Sequence, residues 1–333
     1  MAQQKTYRGA WPVLLTPFTE GGEIDWPAYE VMLEWYLARG VGGLFAVCAS
    51  SEMFHLTADE RLQLARTAVQ VAGGRVPVVA TGTFGDDTPT HVESVRRTAD
   101  TGVDAVVLLL PPFAQGDDGL ERYYDTILAQ TDCALGIYEC PTPAPRSLPP
   151  ALTARLAQTG RFVCYKETSC DLATLAAQCA AAAGTPLAVL QANAPLLLEA
   201  RRLGCPGSMC ISADVVPELV RDVLALPDGL AQEPYRRLCA VEAIRRVSHP
   251  AAAKFLLAER GLPIGMTSRR PGKGLSAEVR VMLREAWRFV WDGVPAPWES
   301  VSGTAASAPA PAAAVPAAPT TPAPVPPAAL ADA

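Results

Sequence analysis

The sequence predicts an α/β fold, a (β/α)₈ TIM barrel with a small C-terminal helical appendage, and three observations carry the prediction. Eight short apolar runs recur before Pro217, amphipathic stretches lie between them, and the first run is followed by Thr16-Pro17-Phe18-Thr19. A doubly wound open sheet normally has a Gly-rich phosphate turn after its first strand, and this segment is not one. Eight strands with intervening helices is the number that closes a barrel.

The runs are Ala10 to Leu15, Gly42 to Cys48, Val76 to Ala80, Val103 to Leu110, Ala134 to Tyr138, Phe162 to Lys166, Leu187 to Gln191 and Gly207 to Ile211. Each is short and almost continuously apolar, as in parallel strands covered on both faces. Helical periodicity marks Trp26 to Arg39, Ala58 to Ala72 and Asp171 to Ala183, with Thr57 and Asp171 as start signals for the last two. Beyond the eighth run, Glu233 to Val247, Ala251 to Arg260 and Ser276 to Val290 are helical without a further strand. The expected organisation is 1–228 for the barrel and its active site, 229–300 for a helical region, and 301–333 for an Ala/Pro-rich tail. A tail of that composition cannot bury a core and is expected to be disordered.

At 333 residues the chain is long enough for one barrel with an appendage. A formal net charge of −6 without a basic tract argues against nucleic acid or an anionic membrane as partner. Met1 to Arg8 is polar, unlike a secretory signal, and no apolar run approaches the roughly 20 residues of a membrane span, so a cytoplasmic protein is expected. The nine cysteines show no Cys-x-x-Cys spacing, and Cys48, Cys164 and Cys210 lie in apolar stretches, which reads as reduced core residues. His55, His91 and His249 have no second His or Cys at ligand spacing, so neither a metal nor another cofactor is expected.

In a barrel, side chains at the C-terminal ends of strands face the active site. Tyr138 and Lys166 end the fifth and sixth runs and so stand on neighbouring strands. A lysine there is desolvated, which favours the neutral amine that attacks a ketone, whereas a lysine turned outward would be solvated or pair with Glu167. Tyr138 is a proton shuttle on the first reading and a packing residue on the second. Ser50 and Ser51 have neither a Gly-x-Ser-x-Gly elbow nor an evident histidine partner, so a serine hydrolase is not expected. Gly82-Thr83-Phe84-Gly85 lacks the ending of a phosphate loop and reads as a barrel loop.

From about Arg8 to Arg288 the chain resembles the dihydrodipicolinate synthase and N-acetylneuraminate lyase family of class I aldolases. The likeness is carried by Thr16-Pro17-Phe18, Gly22-Glu23-Ile24-Asp25, Gly40-Val41-Gly42-Gly43-Leu44, Leu56-Thr57-Ala58-Asp59-Glu60-Arg61, Gly102-Val103-Asp104-Ala105, Ile137-Tyr138 with Pro141, and Lys166-Glu167 before Asp171. It implies a lyase in which Lys166 forms a Schiff base with pyruvate or another small 2-keto acid and Tyr138 donates and accepts protons. It also implies carboxylate binding at Ser50 and Ser51, a pocket lined by Met209, no cofactor, and a homo-oligomer, dimer or tetramer.

Several positions depart from the family's pattern. Cys48-Ala49-Ser50-Ser51-Glu52 replaces its Gly-Thr-Thr-Gly-Glu turn, so Ala49 stands for a relay threonine, and Phe113 stands for a relay tyrosine. Arg146 follows Thr142-Pro143-Ala144-Pro145, displaced from the usual substrate-clamping arginine. These changes leave imine chemistry intact but set the usual condensation of pyruvate with aspartate semialdehyde in doubt. Glu139, with Glu52, is an alternative proton acceptor, a group that binds a hydroxyl-bearing substrate, or a solvated loop carboxylate. The rival to an enzyme is a family member that has lost turnover and binds a keto acid as a sensor or structural subunit.

Overall fold

The structure, a computed structural model, describes residues 5–142, 144–272 and 274–291. The 301–333 tail and the end of the 229–300 region lie outside them. Among the described residues eight strands run in parallel: β1 (Gly9–Ala10), β2 (Leu44–Phe45), β3 (Val78–Thr81), β4 (Ala105–Leu109), β5 (Leu135–Tyr138), β6 (Phe162–Glu167), β7 (Ala188–Gln191) and β8 (Gly207–Ser208). Their hydrogen-bonded order is β1-β8-β7-β6-β5-β4-β3-β2. A parallel bridge between Val13 and Phe45 joins the two ends and closes the barrel. Every strand falls inside, or within a residue of, its expected run.

β1, β2 and β8 are shorter than the sequence suggests. Pro12 has no N–H to continue the ladder beyond Ala10, so the closing contacts are single bonds, Phe45 N–H to the Pro12 carbonyl at 3.1 Å and Leu14 N–H to the Phe45 carbonyl at 3.0 Å. The close fit of β1 also demands glycine beside it. A Cβ on Gly42 would stand 1.8 Å from the Arg8 carbonyl oxygen, and one on Gly207 would stand 2.5 Å from that of Gly9.

The helices in chain order are α1 (Trp26–Leu37), α2 (Ala58–Ala72), α3 (Thr88–Ala99), α4 (Gly116–Gln130), α5 (Pro150–Gln158), α6 (Leu172–Ala182), α7 (Leu197–Arg202), α8 (Ser212–Val215), α9 (Pro217–Ala225), α10 (Asp228–Arg245), α11 (Ala251–Glu259) and α12 (Ala277–Trp291). The start signals act as expected. Thr57 and Glu60 form a reciprocal capping box on α2, and the Asp171 carboxylate accepts from Thr174 N–H at 2.7 Å at the head of α6.

Strand alternation explains why the runs are apolar throughout. Along β4, Val107 and Leu109 join the cluster that fills the barrel, while Val106 and Leu108 join the cluster under the outer helices. The same alternation puts Tyr138 and Lys166, partners in the β5–β6 register, on one face and Tyr165 on the other. Helices α10 to α12 add Leu238, Leu256 and Trp287 to the barrel cluster, so the helical region packs on the barrel rather than standing apart. Among the described residues no helix is long and apolar enough to cross a membrane.

The glycine requirement is testable. Gly42→Ala pushes its methyl into backbone, which cannot rotate away, and is expected to destabilise the fold by about 1–3 kcal/mol in urea unfolding; an unchanged midpoint would show that the β1–β2 seam tolerates a Cβ.

Candidate active site

Lys166 is buried on the inner face of β6, and its amine makes no hydrogen bond or ion pair among the described residues. Nζ lies 4.3 Å from the ring centroid of Tyr138 and 5.5 Å from that of Phe45. The outward alternative fails on both counts, since Lys166 is not solvated and Glu167 is occupied by Gln191 Nε2 at 3.1 Å and Ser169 N–H at 2.7 Å. Burial holds the Lys166 pKa below its ordinary 10.5, against weaker opposing pulls from Cys48, Cys140 and Asp214. The Tyr138 phenol is pushed up, first by burial, so it remains a proton donor.

Asp214, on α8, is fully buried, and among the described residues neither of its carboxyl oxygens meets a hydrogen-bond partner. Burial raises its pKa well above the carboxylate range despite the Lys166 charge. Burial thus moves both groups toward their neutral forms, the acid by raising its pKa and the amine by lowering it. The sequence reading missed Asp214, because a lone acid in an apolar stretch carries no motif.

The turn after β2 carries Ser50 and Ser51. Ser51 Oγ donates to the Cys48 carbonyl at 2.7 Å and accepts from Cys48 N–H at 2.8 Å, so its hydroxyl is committed to the turn. The N–H groups of Ser50 and Ser51 donate to no backbone carbonyl among the described residues and lie close to the Cys48 thiol. Ser50 Oγ is 3.1 Å from Nε2 of His249, so the serine does have a histidine partner, contrary to the sequence reading. The two are 199 positions apart, and no local signal links them. Burial first, then the surrounding charges of Arg245, Arg270, Lys166 and Lys254, lowers the His249 pKa to about 3. The imidazole is therefore neutral, and its buried Nδ1 has no partner among the described residues.

Glu52 is not an available proton acceptor. Its buried carboxylate takes Lys254 Nζ at 3.0 Å, Ser268 Oγ at 2.8 Å and the N–H groups of Arg269 and Arg270 at 2.8 and 3.0 Å. Glu139 is likewise neither free nor solvated. It follows Tyr138 and so faces outward, where it accepts from the Tyr165 hydroxyl, Leu148 N–H at 2.9 Å and Thr168 N–H at 3.2 Å. Arg146 is drawn to the carbonyls of Pro111 at 3.1 Å and Gly116 at 3.3 Å. Phe113 packs edge-on against His91 and Tyr123, with centroids 5.1 and 6.0 Å away. Met209 is buried with its N–H on the Gln191 carbonyl at 3.0 Å, beside Cys210, whose influence reaches Lys166.

The fold therefore brings together Lys166, Tyr138, Ser50 and Met209, adds Asp214 and His249, and turns Glu139, Arg146 and the Ser51 hydroxyl to structural duty. A cavity of about 1080 Å³ opens at the opposite end of the barrel, lined by residues that precede strands, such as Tyr7, Asp104 and Pro206. Chemistry in barrels belongs to the C-terminal ends, where the Lys166 cluster lies.

The model of the dihydrodipicolinate synthetase family matches residues 6–288. A 4-hydroxy-tetrahydrodipicolinate synthase of Gluconacetobacter diazotrophicus is 27% identical over 286 residues, covering 84% of this chain and 96% of that protein. One from Saccharophagus degradans is 28% identical over 288 residues, covering 84% and 98%. Among solved structures, a chloride-inhibited dihydrodipicolinate synthase from Acinetobacter baumannii complexed with pyruvate superposes with a TM-score of 0.78 at 25% identity, covering 86% of this chain and 99% of that one.

Two outcomes follow from the buried charges. Lys254→Ala leaves Glu52 buried without its cation and is expected to cost about 3–5 kcal/mol in denaturant unfolding. For His249, the unfolded chain takes up a proton near pH 6.5 that the folded chain refuses until about pH 3. Its contribution to stability is thus lost as pH falls through that window, by about 2 kcal/mol between pH 6.5 and 5, and His249→Asn should remove that part of the slope. Parallel pH dependences in the two proteins would contradict a buried neutral imidazole.

Proposed function

The chain belongs to the dihydrodipicolinate synthetase family, whose members are lyases of the class I aldolase type, and from that premise we propose that Lys166 forms a Schiff base with a small 2-keto acid. The observation that carries the proposal is a buried amine with no hydrogen-bond or ion-pair partner among the described residues, 4.3 Å from the centre of the Tyr138 ring. Neutral Lys166 attacks the ketone carbon, and the resulting carbinolamine loses its hydroxyl as water with a proton from Tyr138. The imine then serves as the electron sink for aldol addition, retro-aldol cleavage or dehydration through an enamine. Ser50 and the two amides of its turn hold the carboxylate, and in the tautomer that carries the proton on Nε2 His249 donates to Ser50 Oγ and leaves the serine hydroxyl to donate to the carboxylate. Fixing the carboxylate sets the carbonyl within reach of Nζ and lowers the barrier by orientation.

The second substrate, on this proposal, is not that of the lysine-pathway condensation. Three features support the difference: Ala49 and Phe113 have no hydroxyl to pass a proton, and Arg146 is engaged by carbonyls. Ala49 and Phe113 also favour the second reading, a chain that binds a keto acid without turning it over. The proposal extends to a cytoplasmic homo-oligomer, on the family likeness alone.

Borohydride reduction of the full chain with a panel of 2-keto acids, followed by peptide mapping, tests the proposal. An adduct is expected on Lys166, absent in Lys166→Ala and formed roughly 10²- to 10⁴-fold more slowly in Tyr138→Phe. Because only the free amine reacts, the trapping rate should rise with pH through a midpoint below the ordinary lysine value of 10.5. Keto acid binding by calorimetry without any adduct would establish the non-catalytic reading instead.

A further inference from the structure

Helix α6 is rich in alanine, and Ala176, Cys179, Ala180 and, at its cap, Ala183 share one side of it, at the i, i+3, i+4 and i+7 spacing of a helix face. All four line the cavity of about 1080 Å³ at the end of the barrel opposite Lys166. Side chains this small leave that space open, and Cys179 is half-buried on its wall. Cys205, in the connection from α7 to β8, is buried between Gly204 and Pro206, which line the same cavity. Its Sγ lies 3.5 Å from that of Cys179, although the two residues are 26 positions apart.

The backbone holds the pair in place. Cys205 N–H donates to the Ala200 carbonyl at 3.0 Å, and the next carbonyl, that of Pro206, takes Gly9 N–H at 3.0 Å where β1 meets β8. Two thiols preset at contact distance, one of them open to a cavity, are placed to react with each other rather than to sit as inert core groups. No other thiol among the described residues is hydrogen-bonded to a second thiol. Burial pushes the thiols of Cys48 and Cys210 up to about 11 and that of Cys164 to about 12. At Cys179 a hydrogen bond from the Cys205 thiol acts the other way and holds it below its ordinary 9.0.

We infer that Cys179 and Cys205 are a redox-active pair that closes to a disulfide by exchange with a low-molecular-weight disulfide, Cys179 attacking first and Cys205 resolving. The Cys179 thiolate, its proton lost to solvent, attacks one sulfur of the small disulfide. That S–S bond breaks, a mixed disulfide forms on Cys179, and one small thiolate leaves through the cavity and is protonated. The Cys205 thiol then gives up its proton and attacks Cys179 Sγ, forming the bond between the two residues and expelling the second small thiol. The protein loses two electrons and two protons, and the small disulfide is reduced to two thiols. The new bond ties α6 to the residue pair that leads into β8, and an excess of small thiol reverses it.

The test is incubation of the full chain with oxidised glutathione, an acid quench, N-ethylmaleimide blocking and peptide mapping without reduction. A peptide linking Cys179 to Cys205 is expected, lost again on adding reduced glutathione, while the exposed Cys170 ends as a mixed disulfide. In Cys205→Ser the glutathione should stay on Cys179, and in Cys179→Ser the Cys205 thiol should be modified about tenfold or more slower than Cys179 is in the unaltered chain. Thermal unfolding controls for folding of both variants, and the linkage in the unaltered chain remains the deciding readout if either is unstable. Glutathione on Cys170 with no linkage between Cys179 and Cys205 overturns the inference. Equal modification of Cys205 with and without Cys179 overturns the order of attack.

Discussion

The buried carboxylate of Glu52 ties the barrel to the helical region, and the candidate site depends on that tie. The residue takes a left-handed backbone conformation, φ 62°, which costs a non-glycine residue of order 1–3 kcal/mol unless its surroundings hold it there. Four donors do so, from Lys254, Ser268, Arg269 and Arg270. On one side this sets the turn in which Ser50 and Ser51 present their amides. On the other it fixes the segment from which Arg270 extends. A solvated glutamate would do neither, because water would satisfy its oxygens without imposing a direction on the chain.

The second constraint is dryness around Lys166. Burial shifts amine, phenol, imidazole and carboxyl each toward its neutral form. The hydroxyls missing at Ala49 and Phe113 matter in that setting, since a dry site has no bulk water to substitute for a relay. The Ser50–His249 contact is the polar pair the fold offers beside the lysine, and Phe113 has been absorbed into an aromatic cluster with His91 and Tyr123.

The glutamates explain where a sequence reading stops. Glu52 and Glu139 look like free carboxylates beside reactive residues, and both are buried in hydrogen-bond networks that hold loops. For Glu139 the reason is strand alternation, which carries Tyr138 inward and the next residue outward. For Glu52 the partners come from 202 to 218 positions away. Arg146 was legible as an arginine near the right loop, but which carbonyls claim it depends on the path of the β4–α4 connection.

By itself the sequence determined the barrel, since eight two-sided strands need near-continuous apolar runs, and it determined Lys166 and Tyr138, since strand ends of adjacent runs must be neighbours in a parallel sheet. The helical region was also legible from its periodicity. Only the tertiary structure decided what stands around the lysine: Asp214 from α8 and His249 from the segment between α10 and α11. Their roles follow from burial and from distances across the barrel mouth, and neither leaves a periodic or local mark in the order of residues.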